Sequence, residues 1–408
     1  MWAERLRAAF GPAKGPVRVV RAPYRICPLG AHIDHQWGTV TALAIEPAVH
    51  LAYEPADGPE VQLRSGAYAG EVRFRLDAPI AARRGGDWGN YARGAAAALS
   101  GAKGPLNRGI RGWIAGAWGE GGLSSSAAVG LAYLHALAEV NGSALTASEA
   151  IRLDQQIENG YLNLRNGILD PASILVSRSE ELTVIDCRAF GSEEAGMDAS
   201  GLPTGIRRIP KPVGRSRPLF LLAFSGLRQS LATTGYNDRV AECEAGARIL
   251  LEASGHRGGP AVLGRVTAEE YERRRGLLAG APARRAAHFF SEMRRVAAGI
   301  RAWAAGDLDR FGSLMTESGR SSIEQYECGC PPLIDLYEIL AGAPGVLGAR
   351  FSGAGFRGCC IALVRRERAE DAMGTAREAY VKRHPKLGEQ WAAAAVEPAD
   401  GLSWICAP

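Results

Sequence analysis

The sequence predicts an α+β protein of two domains of similar size, and three observations lead to this fold class. Short β-type runs alternate with small-residue segments in the first half, helical patterns dominate residues 237–340, and strands return after residue 346. A length of 408 residues fits two or three domains at about 150 residues each. The segment 191–218, rich in Gly, Pro, Ser and charge, marks the junction. We therefore expect one domain over residues 1–212 and a second over residues 213–408.

Most elements of the first half are predicted as strands, because β-branched or aromatic residues stand between turn signals. The predicted strands are Val17–Arg21, Thr39–Ile45, Val49–Tyr53, Val61–Arg64, Val72–Leu76, Ile110–Ala115, Leu175–Ser177 and Leu182–Asp186. Apolar residues at helical spacing predict helices over Trp88–Leu99, Ser125–Val140 and Glu149–Tyr161.

The second half opens with a predicted strand and continues mainly as helix. The predicted elements are the strand Leu219–Phe224, helices within Asn237–Leu340, the strands Val346–Phe351 and Cys359–Val364, and the helix Ala369–Val381. Residues 269–310 carry many arginines, but acidic residues are interleaved with them. This pattern favours a solvated helix face over a nucleic-acid surface.

Composition excludes several broad classes. Hydrophobic residues make up 47% and charged residues 22%, which rules out wholesale disorder. The net charge of +5 is too small to indicate nucleic acid or an anionic membrane as partner. The N-terminal segment lacks a secretory signal pattern, and no stretch resembles a transmembrane helix. Eight cysteines without a CxxC pair favour reduced, buried thiols, and with them a cytoplasmic location.

A glycine-rich loop that leads into a helix, within Gly116–Leu137, is the strongest local signal. Glycines let backbone N–H groups approach an anion, and a helix N-terminus adds unpaired donors and a positive dipole end. Serines in the first helical turn can cap the helix, donate to phosphate or ligate Mg²⁺. The segment is therefore a candidate phosphate-binding loop, although an N-capped helix after a flexible loop would look the same.

The scarcity of lysine narrows the kind of phosphate site. Only five of the 48 basic residues are lysines, and no Gly-Lys dipeptide exists in the chain. A Walker-type loop requires Gly-Lys-Ser/Thr, so a P-loop NTPase is excluded. A protein kinase is also disfavoured, since His-Arg-Asp and Asp-Phe-Gly motifs are missing. A second glycine cluster, Phe351–Val364, has GxGxxG spacing but continues into a strand, so we interpret it as a strand–loop–strand unit.

Polar residues cluster in a loop between two predicted strands near the N-terminus. Arg25, His32, Asp34 and His35 lie there among Gly and Pro. Side chains on a loop held by rigid strands suit a small polar ligand. The spacing also permits a metal site of His32, Asp34 and His35, and a plain surface loop would show the same residues.

Two carboxylates flank an Asn-Gly turn further along the chain. Glu158 and Asp170 stand twelve positions apart, and Asp170 precedes Pro171. Asp170 could act as a base, although such a residue is more often a helix cap or turn residue.

Taken together, five ordered segments resemble the GHMP kinases, and within them the galactokinase branch. The family carries Arg-x-x-x-x-Gly-Glu-His-x-Asp, Gly-Gly-Leu-Ser-Ser-Ser-Ala, Gly-Ile-Met-Asp, Tyr-Asn-x-Arg and Ser-Gly-Ala-Gly-Phe-Gly-Gly-Cys. The corresponding segments here are Arg25–Asp34, Gly121–Ala127, Gly167–Asp170, Tyr236–Arg239 and Ser352–Cys359. The resemblance implies an N-terminal ribosomal-protein-S5-like domain, a C-terminal ferredoxin-like domain and an active site between them.

The departures from the family pattern point to an acidic sugar. Ala31 replaces a Glu that in galactokinases contacts the C6 hydroxyl, and His35 replaces the usual Tyr. A C6 carboxylate facing that Glu would bring two like charges together. The sequence thus resembles the branch member that phosphorylates D-galacturonic acid, and Arg228 and Arg357 are our candidates for binding the carboxylate.

The resemblance also implies the reaction and its residues. ATP would phosphorylate the anomeric hydroxyl, with Asp170 as base and Arg25 beside the γ-phosphate. Mg²⁺ would be held by Ser125 or Ser126 with Glu158. Sugar contacts would come from Asp34 and Tyr236, with Ala31, His32 and His35 nearby. The implied phosphate-binding residues are Gly116, Gly119, Gly121, Gly122, Leu123, Ser124, Ser125, Ser126 and Ala127.

Two alternatives stay open at this point. One is another sugar 1-kinase, for galactose, L-arabinose or glucuronate. The other is a non-catalytic sugar sensor on the same fold, which the intact run of three serines at 124–126 disfavours.

Overall fold

The computed structural model describes residues 2–12, 15–83, 86–117, 122–191, 196–212, 218–227, 235–356 and 358–406. Within these residues thirteen strands form a nine-stranded and a four-stranded sheet. The strands are β1 Arg18–Ile26, β2 Thr39–Pro55, β3 Glu60–Ser65, β4 Glu71–Arg75, β5 Ile110–Gly116, β6 Glu181–Asp186, β7 Ile206–Pro210, β8 Leu219–Phe224, β9 Val346–Phe351, β10 Cys359–Val364, β11 Ala392–Val396, β12 Pro398–Ala399 and β13 Ser403–Cys406.

Helices cover these sheets. They are α1 Trp2–Phe10, α2 Asn90–Lys103, α3 Ser125–Val140, α4 Ala147–Gln155, α5 Leu169–Val176, α6 Cys187–Phe190, α7 Tyr236–Ala253, α8 Ala268–Arg274, α9 Gly280–Ala305, α10 Leu308–Glu324, α11 Pro331–Ala341, α12 Ala369–Arg383 and α13 Pro385–Gly388. The mixture of helix and sheet confirms the predicted α+β class. No helix in the described part of the chain has the length and apolar character needed to cross a membrane.

The long strand β2 organises the first sheet. It joins the predicted strands Thr39–Ile45 and Val49–Tyr53 into one, and it pairs antiparallel with β1 over nearly the whole length of β1. The register shifts between Pro23 and Tyr24, as at a β-bulge, which lets the strand continue past Glu46 and Pro47. The first half of β2 pairs with β6 and its second half with β5.

One predicted strand is wrong. Leu175–Ser177 was expected to be extended, but residues 169–176 form helix α5. The run Ile174–Val176 is apolar and partly β-branched, and such a short run does not distinguish a strand from a buried helix. Leu169, Ala172 and Val176 are buried at helical spacing, so packing decides in favour of the helix.

Helix α4 ends earlier than the predicted helix Glu149–Tyr161. Thr146 caps its N-terminus in a capping box with Glu149, and the α-helix ends at Gln155. Residues Gln156–Tyr161 continue as a π-helix. This wider turn is frequent at functional sites, and it carries Glu158.

The four-stranded sheet is antiparallel in the order β11-β8-β10-β9. The chain then returns to the first sheet, where β12 pairs with β2 and β13 pairs with β1. The proposed junction also contains β7, which pairs with β6 of the first sheet. The division into 1–212 and 213–408 stays a prediction.

The two halves are joined by shared clusters of buried apolar side chains. A single cluster of buried side chains includes Leu29 and Ile45 from the first half and Phe220 and Phe311 from the second. Helix α9 approaches the loop after β1 so closely that a Cβ on Gly299 would lie 2.1 Å from Leu29 Cδ1. The polar loop Cys27–Gly38 is therefore held between the halves.

Candidate active site

An aspartate held by two donors forms the centre of the candidate site. Asp170 lies in the first turn of α5, where Arg25 Nε at the end of β1 donates to its Oδ1 at 2.6 Å. Ser124, directly before α3, donates to Oδ2. Three segments far apart in sequence thus meet at one carboxylate, which keeps part of its surface exposed.

Arg25 is buried and carries an unused donor. Burial opposes its charge, but the ion pair with Asp170 outweighs this effect and raises the pKa of Arg25. Its Nη1 is buried and has no hydrogen-bond partner among the described residues. Buried polar groups are nearly always satisfied, so this donor fits an anionic ligand beside Asp170.

The start of α3 meets the second glycine cluster. Ser124 adopts a left-handed conformation, φ +59°, immediately before the helix. Ser352 Oγ donates to the Gly122 carbonyl at 2.8 Å. A Cβ on Gly353, φ +66°, would lie 2.7 Å from the Gly122 carbonyl oxygen. The two predicted glycine loops therefore touch, and the positive end of α3 opens beside Asp170.

The remaining phosphate-loop residues divide by position. Gly116 ends β5 and faces the Tyr24 hydroxyl, which a Cβ there would approach to 2.2 Å. Leu123 and Ala127 are buried in the core, whereas Ser125 and Ser126 are half-buried in the first turn of α3. Gly119 and Gly121 lie outside the described residues.

A buried carboxylate faces the same region from the π-helix. Asn166 Nδ2 donates to Glu158 Oε2 at 2.6 Å, and this bond and the nearby Ser126 hydroxyl partly offset a rise in the pKa of Glu158. Burial first, and the charge of Asp170 second, raise the pKa of Glu158 to about 7. Its Oε1 is buried and has no partner among the described atoms. An orphaned carboxylate oxygen beside a serine hydroxyl suits a divalent cation.

The predicted sugar residues lie on the loop after β1. Asp34 lies next to the turn before Asp170, and the backbone N–H groups of His35 and Leu169 partly offset a rise in its pKa. Burial, reinforced by the charge of Asp170, raises the pKa of Asp34 to about 6. Gly167 is required there, because a Cβ would lie 2.3 Å from Asp34 Oδ2.

Two histidines of this loop pack against two tyrosines from the second half of the chain. His32 stacks on Tyr326 with ring centroids 4.3 Å apart, and His35 Nε2 lies 3.2 Å from the Tyr326 hydroxyl. Tyr236, the first residue of α7, meets His35 edge-on at 6.1 Å. Burial is the main cause that lowers the pKa of His35 to about 3, so this ring is neutral.

Helix α9 holds the turn that contains Ala31. Glu292 Oε1 accepts from the backbone N–H groups of Gly30 and Ala31 at 2.7 and 3.0 Å. His288 Nε2 donates to the Ala31 carbonyl at 2.8 Å. The turn contains Gly30 at φ +103° and His32 at φ +57°, conformations that need such external support.

The structure thus brings together Asp170, Arg25, Ser124, Glu158, Asp34, His32, His35 and Tyr236. Arg228 and Arg357, our candidates for the carboxylate, lie outside the described residues. Among the residues described, no three His, Cys, Asp or Glu side chains converge as a metal cluster, which gives no support to a site of His32, Asp34 and His35.

Sequence reasoning missed several residues of the site. Glu292 and His288 escape a local search because they contact a loop more than 250 positions away. Tyr326 carries no motif, and only its tertiary stacking reveals it. Asn166 had a usable signal, since it begins the Asn-Gly turn before Asp170.

The fold and this site define a phosphotransferase, and the chain belongs to the GHMP kinases, a family that uses ATP as phosphate donor. Residues 90–178 match the GHMP kinases N terminal domain, and residues 297–382 match the GHMP kinases C terminal family. This result confirms the resemblance drawn from the five sequence segments.

Individual relatives lie in the galactokinase branch. The chain is 48% identical to the galacturonokinase of Arabidopsis thaliana over 395 residues, covering 92% of this chain and 90% of that protein. It is 31% identical to human galactokinase with the same coverage of each chain. The crystal structure of Lactococcus lactis galactokinase complexed with galactose matches with a TM-score of 0.85 at 26% identity, over 98% of both chains.

Proposed function

We propose that this protein transfers the γ-phosphoryl group of ATP to the anomeric hydroxyl of D-galacturonic acid, giving galacturonate 1-phosphate and ADP. The observation that carries the proposal is the 48% identity, over most of both chains, to a galacturonokinase. The partly buried centre of Asp170, Arg25 and Ser124 supports a phosphoryl transfer that depends on positioning.

Asp170 is the proposed base. As the anomeric oxygen bonds to the γ-phosphorus, the bond from that phosphorus to the bridging oxygen of ADP breaks, and the hydroxyl proton passes to Asp170. Arg25 donates one hydrogen bond to Oδ1 of the carboxylate and Ser124 donates one to Oδ2, and each oxygen can accept a second hydrogen bond. The carboxylate is thus oriented without being blocked.

Arg25 has a second proposed task. Its unused Nη1 would donate to the transferring phosphoryl group, where negative charge develops. The N-terminus of α3 and the loop Gly116–Ala127 would hold the remaining phosphates through backbone N–H groups. Asp34 and Tyr236 would bind sugar hydroxyls, with Ala31, His32 and His35 shaping the pocket.

Mg²⁺ would be held by Glu158 with Ser125 or Ser126, and when bound it supplies charge neutralisation at the phosphates. The fit rests on the orphaned, buried Glu158 Oε1 and on the nearby Ser126 hydroxyl. A cytoplasmic location stays a prediction from the sequence.

The decisive experiment measures ADP release from ATP with D-galacturonate, D-glucuronate, D-galactose and L-arabinose. We expect the highest kcat/KM for D-galacturonate, with ³¹P NMR locating the phosphate on C1. Preference for D-galactose or L-arabinose would instead favour the second candidate, another sugar 1-kinase, which the 31% identity to human galactokinase supports.

A further inference from the structure

One arginine at the edge of the candidate sugar pocket has no role in the mechanism above. Arg165 lies between the π-helix and α5, two residues before the Gly167 that contacts Asp34. Its neighbour Asn166 is anchored on both sides, since its N–H bonds to Asn159 Oδ1 and its amide donates to Glu158. The backbone that presents Arg165 is therefore fixed relative to the site.

The Arg165 side chain extends over the start of α7. Asn237 Nδ2 donates to the Asn163 carbonyl at 3.5 Å, and Arg165 forms an ion pair with Glu244 two turns further along the helix. Tyr236 begins this helix beside His35. The positive charge of Arg165 contributes, after burial, to the lowered pKa of His35.

The other arginines around the pocket are already engaged. Arg25 is bound to Asp170 at the anomeric end, and the buried Arg350 donates to the carbonyls of Cys27 and Phe351. Arg285 is buried between Glu242 and Glu327. Arg165 contrasts with these three arginines, because it is 44% exposed and pairs with the half-buried carboxylate of Glu244.

An exposed ion pair is held weakly and can be exchanged. A carboxylate such as Glu244 is also the group that a sugar acid offers, and a guanidinium binds it through paired N–H donors. The contact with Glu244 therefore shows that the Arg165 guanidinium can bind a carboxylate in this position.

We propose that Arg165 binds the C6 carboxylate of the sugar acid, and that Glu244 holds the guanidinium when no sugar is bound. This inference rests on the proposed function and identifies the residue that selects an acidic over a neutral sugar. Binding exchanges one Arg–carboxylate pair for another and releases Glu244 to solvent. A neutral sugar cannot make this exchange.

The test compares Arg165→Gln and Glu244→Gln with the wild type, using D-galacturonate and D-galactose. Charge-assisted hydrogen bonds of this kind predict a rise of about 10- to 100-fold in KM for D-galacturonate in Arg165→Gln, with KM for D-galactose unchanged. Glu244→Gln should lower KM for D-galacturonate, because the competing carboxylate is gone. Arg310→Gln, which breaks an equally exposed ion pair with Glu317, is the matched control.

Equal changes for both sugars in Arg165→Gln would overturn the inference, since a merely structural role does not distinguish them. A selective loss in Arg228→Gln or Arg357→Gln, with Arg165→Gln unaffected, would also overturn it. Wild-type turnover separates the two proposals. If the wild type does not phosphorylate D-galacturonate, the proposed function fails together with the inference, whereas an active wild type with an unselective Arg165→Gln refutes the inference alone.

Discussion

Replacing Glu292 with alanine should loosen the sugar-binding turn from the opposite half of the molecule. Glu292 is fully buried on α9. Its Oε1 accepts from Gly30, Ala31 and the Ser318 hydroxyl, the last at 2.7 Å, and its Oε2 accepts from Arg295 Nε at 2.6 Å. The substitution leaves all four donors without their acceptor.

The expected loss in the free energy of unfolding follows from this arrangement. Removing one partner of a buried ion pair typically costs about 3–5 kcal/mol, because an uncompensated charge remains. We expect a loss of this size in the free energy of unfolding, measured by urea denaturation. Glu292→Gln keeps one acceptor oxygen, so it should lose about 1–3 kcal/mol.

The position of Glu292 also predicts a kinetic signature. Because Gly30 and Ala31 precede Asp34, Glu292→Ala should raise KM for the sugar more than KM for ATP. Glu292→Gln should raise KM for the sugar by a smaller amount. Glu317→Ala, at an exposed position on α10, serves as control. Unchanged unfolding free energy in Glu292→Ala, or equal rises in both KM values, would refute the reasoning.

Four further predictions concern the site. Asp170→Asn should abolish turnover and leave ATP binding intact by calorimetry; a near-normal kcat would contradict the base assignment. Ala31→Glu should lower kcat/KM for D-galacturonate relative to kcat/KM for D-galactose, and an unchanged ratio would mean that residue 31 does not determine the preference at C6. Gly353→Ala should raise KM for ATP, since its Cβ would meet the Gly122 carbonyl, and an unaltered KM would show that the two loops need not touch. Burial lowers the pKa of His288 from 6.5 to about 4, so the unfolded chain binds its proton first as pH falls. The stability that this neutral ring contributes is complete above pH 6.5 and is lost as the pH falls towards 4. In His288→Gln the urea midpoint should therefore vary less with pH over that range than in the wild type. Identical pH profiles of the wild type and the variant would contradict this prediction.

The local sequence predicted those helices and strands for which the residue pattern and the tertiary packing favour the same structure. Helix α3 spans Ser125–Val140 as predicted, because serines at its start, small residues and a continuous buried face all favour a helix. The same reasoning failed at Leu175–Ser177, where a short apolar run fits either structure. Tertiary packing decides in favour of the helix there, and packing depends on neighbours that the local sequence does not contain.

The residues of the candidate site likewise fall into those that the sequence predicted and those that only the structure identified. Asp170, Arg25 and the serine loop were predicted because each lies in a motif with fixed spacing. Their mutual contacts, including the hydrogen bond from Ser124 to Asp170, required the structure. Glu292 and Arg165 carry no local pattern, since their importance depends on which residues lie opposite them.

The return of β12 and β13 to the first sheet has a consequence for biogenesis. Strand β1, which ends at Arg25 and Ile26, pairs along its outer edge with residues 403–406, almost the whole chain away. During synthesis that edge has no partner until residues 403–406 have left the ribosome. Unpaired edges invite association with other chains, and such distant pairings form slowly. Nascent chains should therefore depend on chaperones late in synthesis, and truncation before residue 398 should favour aggregation.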